Sequence, residues 1–454
     1  MTDPWVDDWS AIGALALGDV RRGARLRSLV ESMCRCPSGA VPQMFESPAE
    51  IKAAYRMLGQ AEMWRQPLLA ALREGCLERV ARCPLVLAVQ DTTHLDFAGS
   101  PANGEQGLWA HTLLAVAPEG VPLGLLHQQV WQRPPGKSGS RGRRRERPVS
   151  EKESQRWIDG LQAVTGADWP PDTAVIVVAD RESDIFELFA TPRPAGRELL
   201  IRAAHPRRVA GAGGNLWQAV EAAPVADERD VVLPRRPERA TRAARLRLRL
   251  APVTLLPPKN GVRSPDLMPV SLWVVAVDEL AAPEGETPVS WVLLSTRPVA
   301  DAAAGWECVD HYCRRWLIER FHYTLKSGCQ IELSQLQDVA ALAGLLTLFS
   351  FVAWRLLWLT YLARSVGELP CTVAFTVLEW QIAYRLRYQD KPLPSETPTL
   401  REAVACVAQL GGHMGRRGDG PPGVKVLWRG LTRLQTTIEG ALLINPGLVD
   451  LGKA

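Results

Sequence analysis

Cysteine occurs in this sequence without the spacing that builds a metal site or a disulfide framework. The nine cysteines are an odd number, and no two form a Cys-x-x-Cys pair. The closest are Cys34 and Cys36. Zinc fingers and disulfide-stabilised secreted domains need paired cysteines at such short spacings. The pattern therefore predicts a protein of the reducing cytosol with no zinc finger.

The sequence also lacks the glycine patterns that bind nucleotide cofactors. It contains no Gly-x-Gly-x-x-Gly fingerprint and no complete Gly-x-x-x-x-Gly-Lys-Ser/Thr loop. A metabolic α/β enzyme that uses a nucleotide cofactor would be expected to carry one of these. That class is therefore disfavoured.

No segment reads as an export signal or a membrane span. The first residues, "MTDPWVDDWSAIG", are acidic and have no apolar core, whereas a signal peptide is basic and then apolar. The longest uncharged run, Val339 to Trp354, is too short to span a bilayer and is followed at once by Arg355. We expect a buried helix there, no contact with a membrane, and a cytoplasmic location.

The chain has enough apolar residues to form a large core, and its arginines are concentrated in two stretches. It contains 454 residues, of which 46% are hydrophobic and 22% are charged, so two or three domains are expected. The net charge is only +4. The arginine-rich stretches are residues 136–148, "GKSGSRGRRRERP", and 234–250, "PRRPERATRAARLRLRL". Such runs can contact nucleic acid or simply face water.

The N-terminal part reads as helical to about residue 80. Asp19 is a candidate N-cap for a helix to Cys34, and Arg21 and Arg22 lie on its basic side. A solvated basic face and a DNA-contacting face are both compatible with this pattern. We predict a helical N-terminal domain over residues 1–65.

The middle of the chain reads as an α/β sheet. Apolar strands end on Asp91 and on Asp180, and "ELLIRAAH" gives a third strand. Between about 207 and 297 the helical signal disappears, which predicts a β-rich insertion. In its "RLRLRL", Arg245, Arg247 and Arg249 lie on one strand face that must meet water or phosphate. Helices return from residue 306. The predicted fold class is α/β, with an α/β domain over 66–365 and a helical C-terminal region over 366–454.

One short segment, "HYCRRWLIERFHYTLKSG" at 311–328, carries a polar stripe. On a helix, Tyr312, Arg315, Glu319 and Lys326 share one face, within an arc of roughly 60°. The other side carries apolar residues that are expected to pack on a core: Cys313, Leu317, Ile318, Phe321 and Leu325. The stripe could be a solvated face with an Arg315–Glu319 ion pair. It could equally hold a metal ion through Glu319 and phosphate through its neighbours.

Three acids stand at strand ends or on that helix face, namely Asp91, Asp180 and Glu319. Converging carboxylates suit Mg²⁺, which prefers oxygen ligands and retains water. Two such ions can activate the attacking oxygen and stabilise the leaving oxygen in phosphoryl transfer. Aspartate after a strand is also a common turn former, so neither aspartate is decisive alone.

Taken together, these features resemble a known family. The order of "DTT" after a strand, "ADRESD" after a strand, a β-rich insertion and Tyr-x₂-Arg-x₃-Glu-x₆-Lys is similar to the DDE transposases of bacterial insertion sequences, in the cut-and-paste group with the Y-R-E-K signature. Further segments, including "GLWAHTLL", "HPRR" and "LGG…LWRGLTRL", follow the family's order. The resemblance covers most of the chain. It implies a ribonuclease-H-like catalytic core interrupted by the β-rich insertion and flanked by helical N- and C-terminal domains.

The resemblance also implies roles for individual residues. Asp91, Asp180 and Glu319 would be the catalytic, metal-binding triad, holding two Mg²⁺ ions for which Mn²⁺ can substitute. Contacts to DNA would come from seven residues: Tyr312, Arg315, Lys326, Arg202, Trp291, Arg21 and Arg22. Trp291 would stack on a flipped base, although a buried strand tryptophan is an equal alternative. Further candidates for DNA contact are His322, Arg207 and Arg208; a packing role is the simpler interpretation of His322.

The implied activity is cut-and-paste transposition by a dimer that holds two transposon ends in the cytoplasm of a bacterium. The partners would be transposon-end DNA, target DNA and a second copy of the chain. Two alternatives stay open on sequence alone. One is a ribonuclease-H-like nuclease that cuts without joining, and the other is a DNA-binding regulator derived from a transposase that has lost its chemistry.

Overall fold

Twelve α-helices and nine β-strands are seen in the part of the chain that the structure, a computed structural model, describes. The described residues are 12, 15, 17–35, 40–45, 47–97, 107–133, 148–211, 214–234, 240–259, 267–416 and 418–445. The predicted arginine-rich loop at 136–148 lies outside them except for Pro148. The chain is mixed α/β, as predicted; a ribonuclease-H-like core stays a prediction.

The helices and strands are numbered separately in chain order. The first helices are α1 (Val20–Arg35), α2 (Pro48–Leu58) and α3 (Ala61–Val80), followed by the strands β1 (Leu85–Leu95), β2 (Leu108–Val116) and β3 (Pro122–Trp131). The central elements are α4 (Gln155–Thr165), β4 (Ala174–Ala179), α5 (Phe186–Ala190), β5 (Arg197–Arg202), α6 (Leu216–Ala222), β6 (Val225–Leu233), β7 (Arg242–Leu255), β8 (Val270–Glu279) and β9 (Ser290–Ser295). The last are α7 (Ala302–Cys313), α8 (Trp316–Tyr323), α9 (Val339–Ser365), α10 (Val377–Arg387), α11 (Leu400–Leu410) and α12 (Val424–Ile444).

The chain divides into two compact units. The first comprises Met1–Cys83, Thr92–Pro135 and Leu317–Ala454, and the second comprises Pro84–Asp91 and Gly136–Trp316. The boundary passes through β1, whose first part belongs to the second unit.

The first unit is built around α9, which is apolar on all sides. Its small Gly344 lets α3 approach, since an added Cβ would lie 2.5 Å from Ala61 Cβ. Trp354 Nε1 donates to the Pro122 carbonyl of β3 (3.0 Å), and Gln128 Nε2 donates to Ser350 Oγ (2.8 Å). The predicted buried helix is therefore confirmed, and it runs eleven residues beyond Trp354, since it ends at Ser365.

The length and composition of α9 would allow it to cross a membrane, but its position inside the first unit argues for a core helix. Its most apolar window is 78% buried inside the protein. Along a spanning helix, the outer face would instead be available to lipid. Among the described residues, α9 is the one helix that passes the length and hydropathy test.

The second unit is a mixed sheet with the strand order β1–β4–β5–β9–β8–β7–β6. Strands β1, β4 and β5 are parallel, and β9 to β6 continue the sheet in antiparallel pairs. The strands read from the sequence between 207 and 297 are confirmed. The expectation that no helix occurs there was wrong, because α6 forms behind a capping box in which Asn215 accepts from the Gln218 N–H (3.2 Å).

Candidate catalytic site

Two aspartates lie side by side on neighbouring parallel strands of the second unit. The register pairs Val89 of β1 with Val178 of β4. Continued by two residues, it sets Asp91 beside Asp180, the residue that directly follows β4. Residues in register on parallel strands point to the same face of the sheet. The two carboxylates are therefore neighbours at one position on one face.

The predicted place of Asp91 at a strand end needs correction. Strand β1 does not stop at Asp91 but runs on to Leu95. Asp180 does follow directly after β4, which ends at Ala179. The apolar run in the sequence ends where burial ends, and this need not be where the strand ends.

Each aspartate is held by a different contact. Asp91 Oδ2 lies 3.8 Å from Arg315 Nη1, and both side chains are mostly buried. Asp180 caps the short 3₁₀ turn Arg181–Ser183, since its Oδ1 accepts from the Glu182 N–H (2.9 Å). A backbone donor on one side and a guanidinium on the other partly offset the repulsion between adjacent carboxylates.

Tyr312 and Arg202 extend this cluster. Tyr312 is 4% exposed, and burial raises the pKa of its phenol, against the opposing effect of the Arg315 and Arg202 cations. Arg202 forms a hydrogen bond with Tyr312, while burial lowers the pKa of its guanidinium. Its Nη2 also donates to the Ser290 carbonyl (3.1 Å).

Trp291 packs against both of these residues. Its ring centroid lies 5.1 Å from that of Tyr312 in an edge-on arrangement, and the Arg202 guanidinium carbon lies 5.8 Å from the Trp291 centroid. Trp291 is only half-buried, so the indole is held in place while part of its surface remains accessible. The second unit thus brings together Asp91, Asp180, Arg202, Trp291, Tyr312 and Arg315.

The stripe at 312–326 does not lie on one straight helix. Helix α7 ends at Cys313 with Arg314 as its C-cap, and α8 begins at Trp316. A π-helical turn, Thr324–Gly328, follows α8 and carries Lys326. The prediction of a continuous helical face was therefore wrong. The apolar side was predicted correctly for Leu317, Ile318, Phe321 and Leu325, which are buried, but not for Cys313, which is exposed.

Glu319 and Lys326 belong to the first unit. Glu319 is exposed in the first turn of α8. Lys326 Nζ lies 3.9 Å from Glu332 Oε1, and the same Glu332 oxygen accepts from the Asp96 N–H (3.0 Å). π-helical turns are uncommon and occur frequently at functional sites.

His322 is a packing residue. It is 7% exposed, and its ring lies 5.8 Å from that of Phe321. Burial, reinforced by the Lys326 charge, lowers the pKa of His322 to about 3. Its Nε2 is buried and has no hydrogen-bond partner in the described part of the chain. A neutral imidazole in this position is not suited to binding phosphate.

Arg207 and Arg208 differ although they are adjacent. Arg207 Nε donates to Asp184 Oδ1 (2.6 Å), and the Asp184 side chain is fully buried. Arg208 is exposed, and its Nη2 donates to the Pro257 carbonyl (3.3 Å). Sequence reasoning missed Asp184, whose only signal was its place in "ADRESD", four residues after Asp180.

Arg21 and Arg22 lie at the start of α1. Asp19 accepts from the Arg21 N–H (2.9 Å), as predicted for the N-cap. Arg22 Nη1 donates to the Leu17 carbonyl (3.2 Å), and the Arg21 side chain is exposed.

The arginine face of "RLRLRL" was expected to meet water or phosphate, and Arg245 does meet water, since 57% of its side chain is exposed. Arg245 Nε pairs with Glu228 (2.8 Å) and its Nη1 lies 3.7 Å from Asp230, both on the neighbouring strand β6. Arg249 Nη1 donates to the Ala223 carbonyl. Cross-strand carboxylates therefore take up part of this positive charge.

The donor chemistry of the aspartate pair fits a hard divalent cation. Two carboxylates on one sheet face are oxygen ligands of the type that Mg²⁺ takes from proteins, with the remaining positions left to water and substrate. Within the described residues, no group of three or more His, Cys, Asp or Glu side chains is placed to hold a metal ion. The pair alone is thus present in the second unit, and Glu319 as a third ligand stays a prediction.

Comparison with known families gives one match near each end of the chain. Residues 4–63 match the family model described as transposase DNA-binding. Residues 351–445 match the model described as Tn5 transposase dimerisation domain. The two matches support a Tn5-type DDE transposase.

These matches test some of the predictions made from the sequence and leave others untested. They confirm the resemblance to DDE transposases and support DNA and a second copy of the chain as partners of this transposase. Neither match covers residues 64–350, so the Y-R-E-K signature, the catalytic acids and the domain limits 1–65, 66–365 and 366–454 stay predictions.

Proposed function

We propose that this transposase performs metal-dependent cut-and-paste transposition, with Asp91, Asp180 and Glu319 as the metal-binding acids. The observation that carries the proposal is the register of β1 and β4, which sets Asp91 beside Asp180 on one sheet face. Three cationic or polar side chains of the same unit surround this pair: Arg202, Tyr312 and Arg315. A carboxylate pair ringed by phosphate-binding groups suits phosphoryl transfer.

Two Mg²⁺ ions, or Mn²⁺ in their place, would supply Lewis-acid activation of the attacking oxygen and neutralise charge on the leaving oxygen. Asp91 and Asp180 would hold them from the sheet, and Glu319 from the first turn of α8. The contribution of the protein is to position charges that need no reorganisation during the reaction.

The surrounding residues would hold the DNA. Arg202 and Arg315 are planar guanidinium groups suited to bidentate phosphate binding. Tyr312 is a neutral phenol, whose pKa burial raises further above its ordinary value, and it can donate a hydrogen bond to phosphate. Lys326 would bind phosphate as a point charge. Trp291, half-buried against Tyr312, would stack on a base flipped out of the duplex.

The proposed reaction has four steps. Water cleaves one strand at the transposon end, and the freed 3′-hydroxyl attacks the opposite strand to form a hairpin. Water then opens the hairpin, and the 3′-hydroxyl joins the target DNA. A dimer would hold two transposon ends at once, with the N-terminal helices, including Arg21 and Arg22, contacting end DNA. Arg208 is a further candidate for contact with the DNA backbone.

A cytoplasmic location in a bacterium is part of this proposal, because chromosomal DNA is there. The closest competing function is a nuclease that cuts without joining. The N-terminal and C-terminal family matches favour transposition, since they correspond to domains of transposases.

Glu319→Gln tests the proposal directly. The amide keeps the size of the side chain but removes the carboxylate that would bind the metal, so we expect cleavage to fall on the order of 10²- to 10³-fold, as when an enzyme loses one group that stabilises charge in the transition state. Binding of end DNA should stay within about threefold of wild type because the phosphate contacts remain. The measurement is a denaturing gel of labelled DNA carrying the element's inverted ends, with Mg²⁺, beside a gel-shift titration.

Glu78→Gln is the matched control, since Glu78 is exposed on α3. Hairpin and joined products from wild type and from Glu78→Gln, but not from Glu319→Gln, support cut-and-paste transposition. Cleaved but never joined products would favour the nuclease. Unchanged cleavage by Glu319→Gln would overturn the assignment of Glu319.

A further inference from the structure

Asp184 is a buried charge that the proposed reaction does not use. It is 1% exposed, yet both of its carboxylate oxygens are occupied. Oδ2 accepts from the backbone N–H of Ala204 (2.7 Å) and of His205 (3.1 Å). Oδ1 accepts from Arg207 Nε (2.6 Å), and Arg207 Nη2 donates to the Asp184 carbonyl.

These contacts join two turns at the same end of neighbouring parallel strands. Asp184 closes the 3₁₀ turn that Asp180 caps after β4. Ala204 and His205 lie in the turn that follows Arg202, the last residue of β5. Asp184 therefore bridges the turn that carries Asp180 to the turn that follows Arg202.

The bridge is specific because each donor depends on this one carboxylate. A buried carboxylate is tolerated only when it is paired and hydrogen-bonded, and here two amides and a guanidinium meet that need.

We propose that Asp184 is a positioning residue that fixes the separation between the Asp180 carboxylate and the Arg202 guanidinium. The inference rests on the proposed function, in which Asp180 holds the catalytic cation and Arg202 holds the phosphate of the cleaved end. Asp184 sets the distance between these two charges without touching either ligand. Arg207, first considered as a DNA contact, belongs to this bridge.

Such a residue controls rate more than binding. A shift of about 1 Å between a reacting group and its catalytic group can cost on the order of 10²-fold in rate. The step most sensitive to the bridge is hairpin formation, because the cleaved strand must be held by Arg202 while its 3′-hydroxyl attacks beside Asp180.

Three full-length variants test the proposal. Asp184→Asn keeps the shape of the side chain but replaces one carboxylate oxygen with an NH₂ group. Either the two backbone amides or Arg207 then loses its acceptor. Arg207→Gln removes the guanidinium and leaves Asp184 in place. It weakens the same bridge from the other side, so the proposal can still be tested if Asp184→Asn does not fold. Asp172→Asn is the control, the same change at an exposed position shortly before β4.

Two readouts are combined. Hydrogen–deuterium exchange followed by mass spectrometry reports the Ala204 and His205 amides, and gel analysis reports nicked and hairpin products from end DNA with Mg²⁺. In Asp184→Asn we expect faster exchange at those amides with unchanged protection of β4 and β5. The ratio of hairpin to nicked product should fall roughly 10- to 100-fold, with end binding within about threefold of wild type. Arg207→Gln should show a smaller fall, and Asp172→Asn none.

Either of two results would overturn the proposal: unchanged amide exchange in folded Asp184→Asn, which removes the bridge itself, or faster exchange with a wild-type product ratio, which removes its positioning role. A merely structural role predicts that nicking, hairpin formation and binding fall together with the folded fraction, which also contradicts the proposal. If wild type gives no Mg²⁺-dependent products, the proposed function fails, and the exchange data still decide whether Asp184 holds the two turns.

Discussion

At the scale of single residues, burial of Tyr312 favours the neutral form of its phenol. The phenol lies among two arginines and near Asp180, and its raised pKa keeps it protonated. A protonated phenol donates a hydrogen bond and carries no charge that would repel phosphate. Its neighbour Trp291 fixes the ring from one side.

Replacing Tyr312 with Phe should therefore affect catalysis more than folding. The ring and its contact with Trp291 remain, but the hydrogen bond with Arg202 and a donor to phosphate are lost, at a cost of about 1 to 2 kcal/mol. We expect the cleavage rate to fall roughly tenfold. Single-turnover cleavage of labelled end DNA measures it.

Tyr323→Phe is the control for this change, because Tyr323 is 41% exposed in the same segment and has no role in the proposed reaction. A wild-type cleavage rate for Tyr312→Phe, with the control also unchanged, would remove the phenol from the mechanism.

His322 makes a second residue-scale prediction, for stability against pH. Its pKa falls from 6.5 in the unfolded chain to about 3 in the folded one, so between these values the unfolded chain binds a proton that the folded chain excludes. Stability is fully present above about pH 6.5 and is lost as the pH falls, by roughly 1.4 kcal/mol per pH unit from this residue. His322→Leu removes this one proton-binding group, so it should reduce the slope of the unfolding free energy against pH by roughly 1.4 kcal/mol per pH unit.

Urea unfolding of both proteins between pH 7.5 and 5 measures the difference in slope. Parallel curves for wild type and His322→Leu would show that His322 takes up its proton in the folded state, contrary to the burial seen in the structure.

Residue-scale prediction from sequence worked where a local pattern sufficed. Asp91 and Asp180 could be singled out because each follows an apolar run in the sequence. The role of Asp184 in joining two turns could not be predicted from the sequence. Its hydrogen-bond partners lie about twenty residues away along the chain, and only the pairing of β4 with β5 brings them close. For the same reason, the carboxylate partners of Arg245 on β6 were not foreseen.

At the scale of elements, α11 and α12 pack unusually closely through two glycines. A Cβ on Gly430 would lie 1.8 Å from the Val407 carbonyl oxygen, and a Cβ on Gly411 would lie 1.8 Å from that of Val426. These atoms are backbone and cannot rotate away. The two helices can therefore contact only because both positions lack a side chain.

Gly430→Ala should force the helices apart. Overpacking of this type costs about 1 to 3 kcal/mol, which outweighs the gain of up to about 1 kcal/mol that alanine brings to a helix. We expect a lower Tm by differential scanning calorimetry, together with weaker self-association, because both helices lie within the matched dimerisation region.

Gly440→Ala on the same helix gives the opposite expectation. Nothing lies within 4 Å of its added Cβ, so the helix propensity of alanine should leave stability unchanged or slightly raised. Equal effects of the two substitutions would mean that the close approach at Gly430 does not exist in solution.

Element-scale prediction was accurate for strands and for long helices, since alternation and apolar runs are local. It failed at 311–328, where residue spacing indicated one helix but α7 stops at Cys313 and α8 starts at Trp316. Periodicity cannot distinguish a continuous helix from two helices joined by a tight turn, because Arg314 and Arg315 are both compatible with a helix. The π-helical turn at Lys326 likewise has no sequence signal.

At the scale of the whole molecule, the family matches lie at the two ends and the candidate chemistry lies between them. Residues 4–63 correspond to DNA binding and 351–445 to dimerisation. Self-association is useful to an enzyme that must process two DNA ends together, because a two-fold dimer presents two copies of the same site. The proposed dimer thus predicts how activity depends on the number of functional subunits.

Mixing wild type with Glu319→Gln before DNA is added tests this dependence. If each subunit completes one site and both ends must be cut, complexes with two active sites follow the square of the wild-type fraction, so an equal mixture should release about one quarter of the doubly cut product. Singly cut DNA should accumulate over the same range. With subunits freely exchanged, a decrease to about three quarters with no singly cut DNA would instead mean that one active subunit of the dimer cuts both ends in turn, and a linear decrease to about one half would mean that a subunit acts alone. In either case the two-site dimer would have to be abandoned.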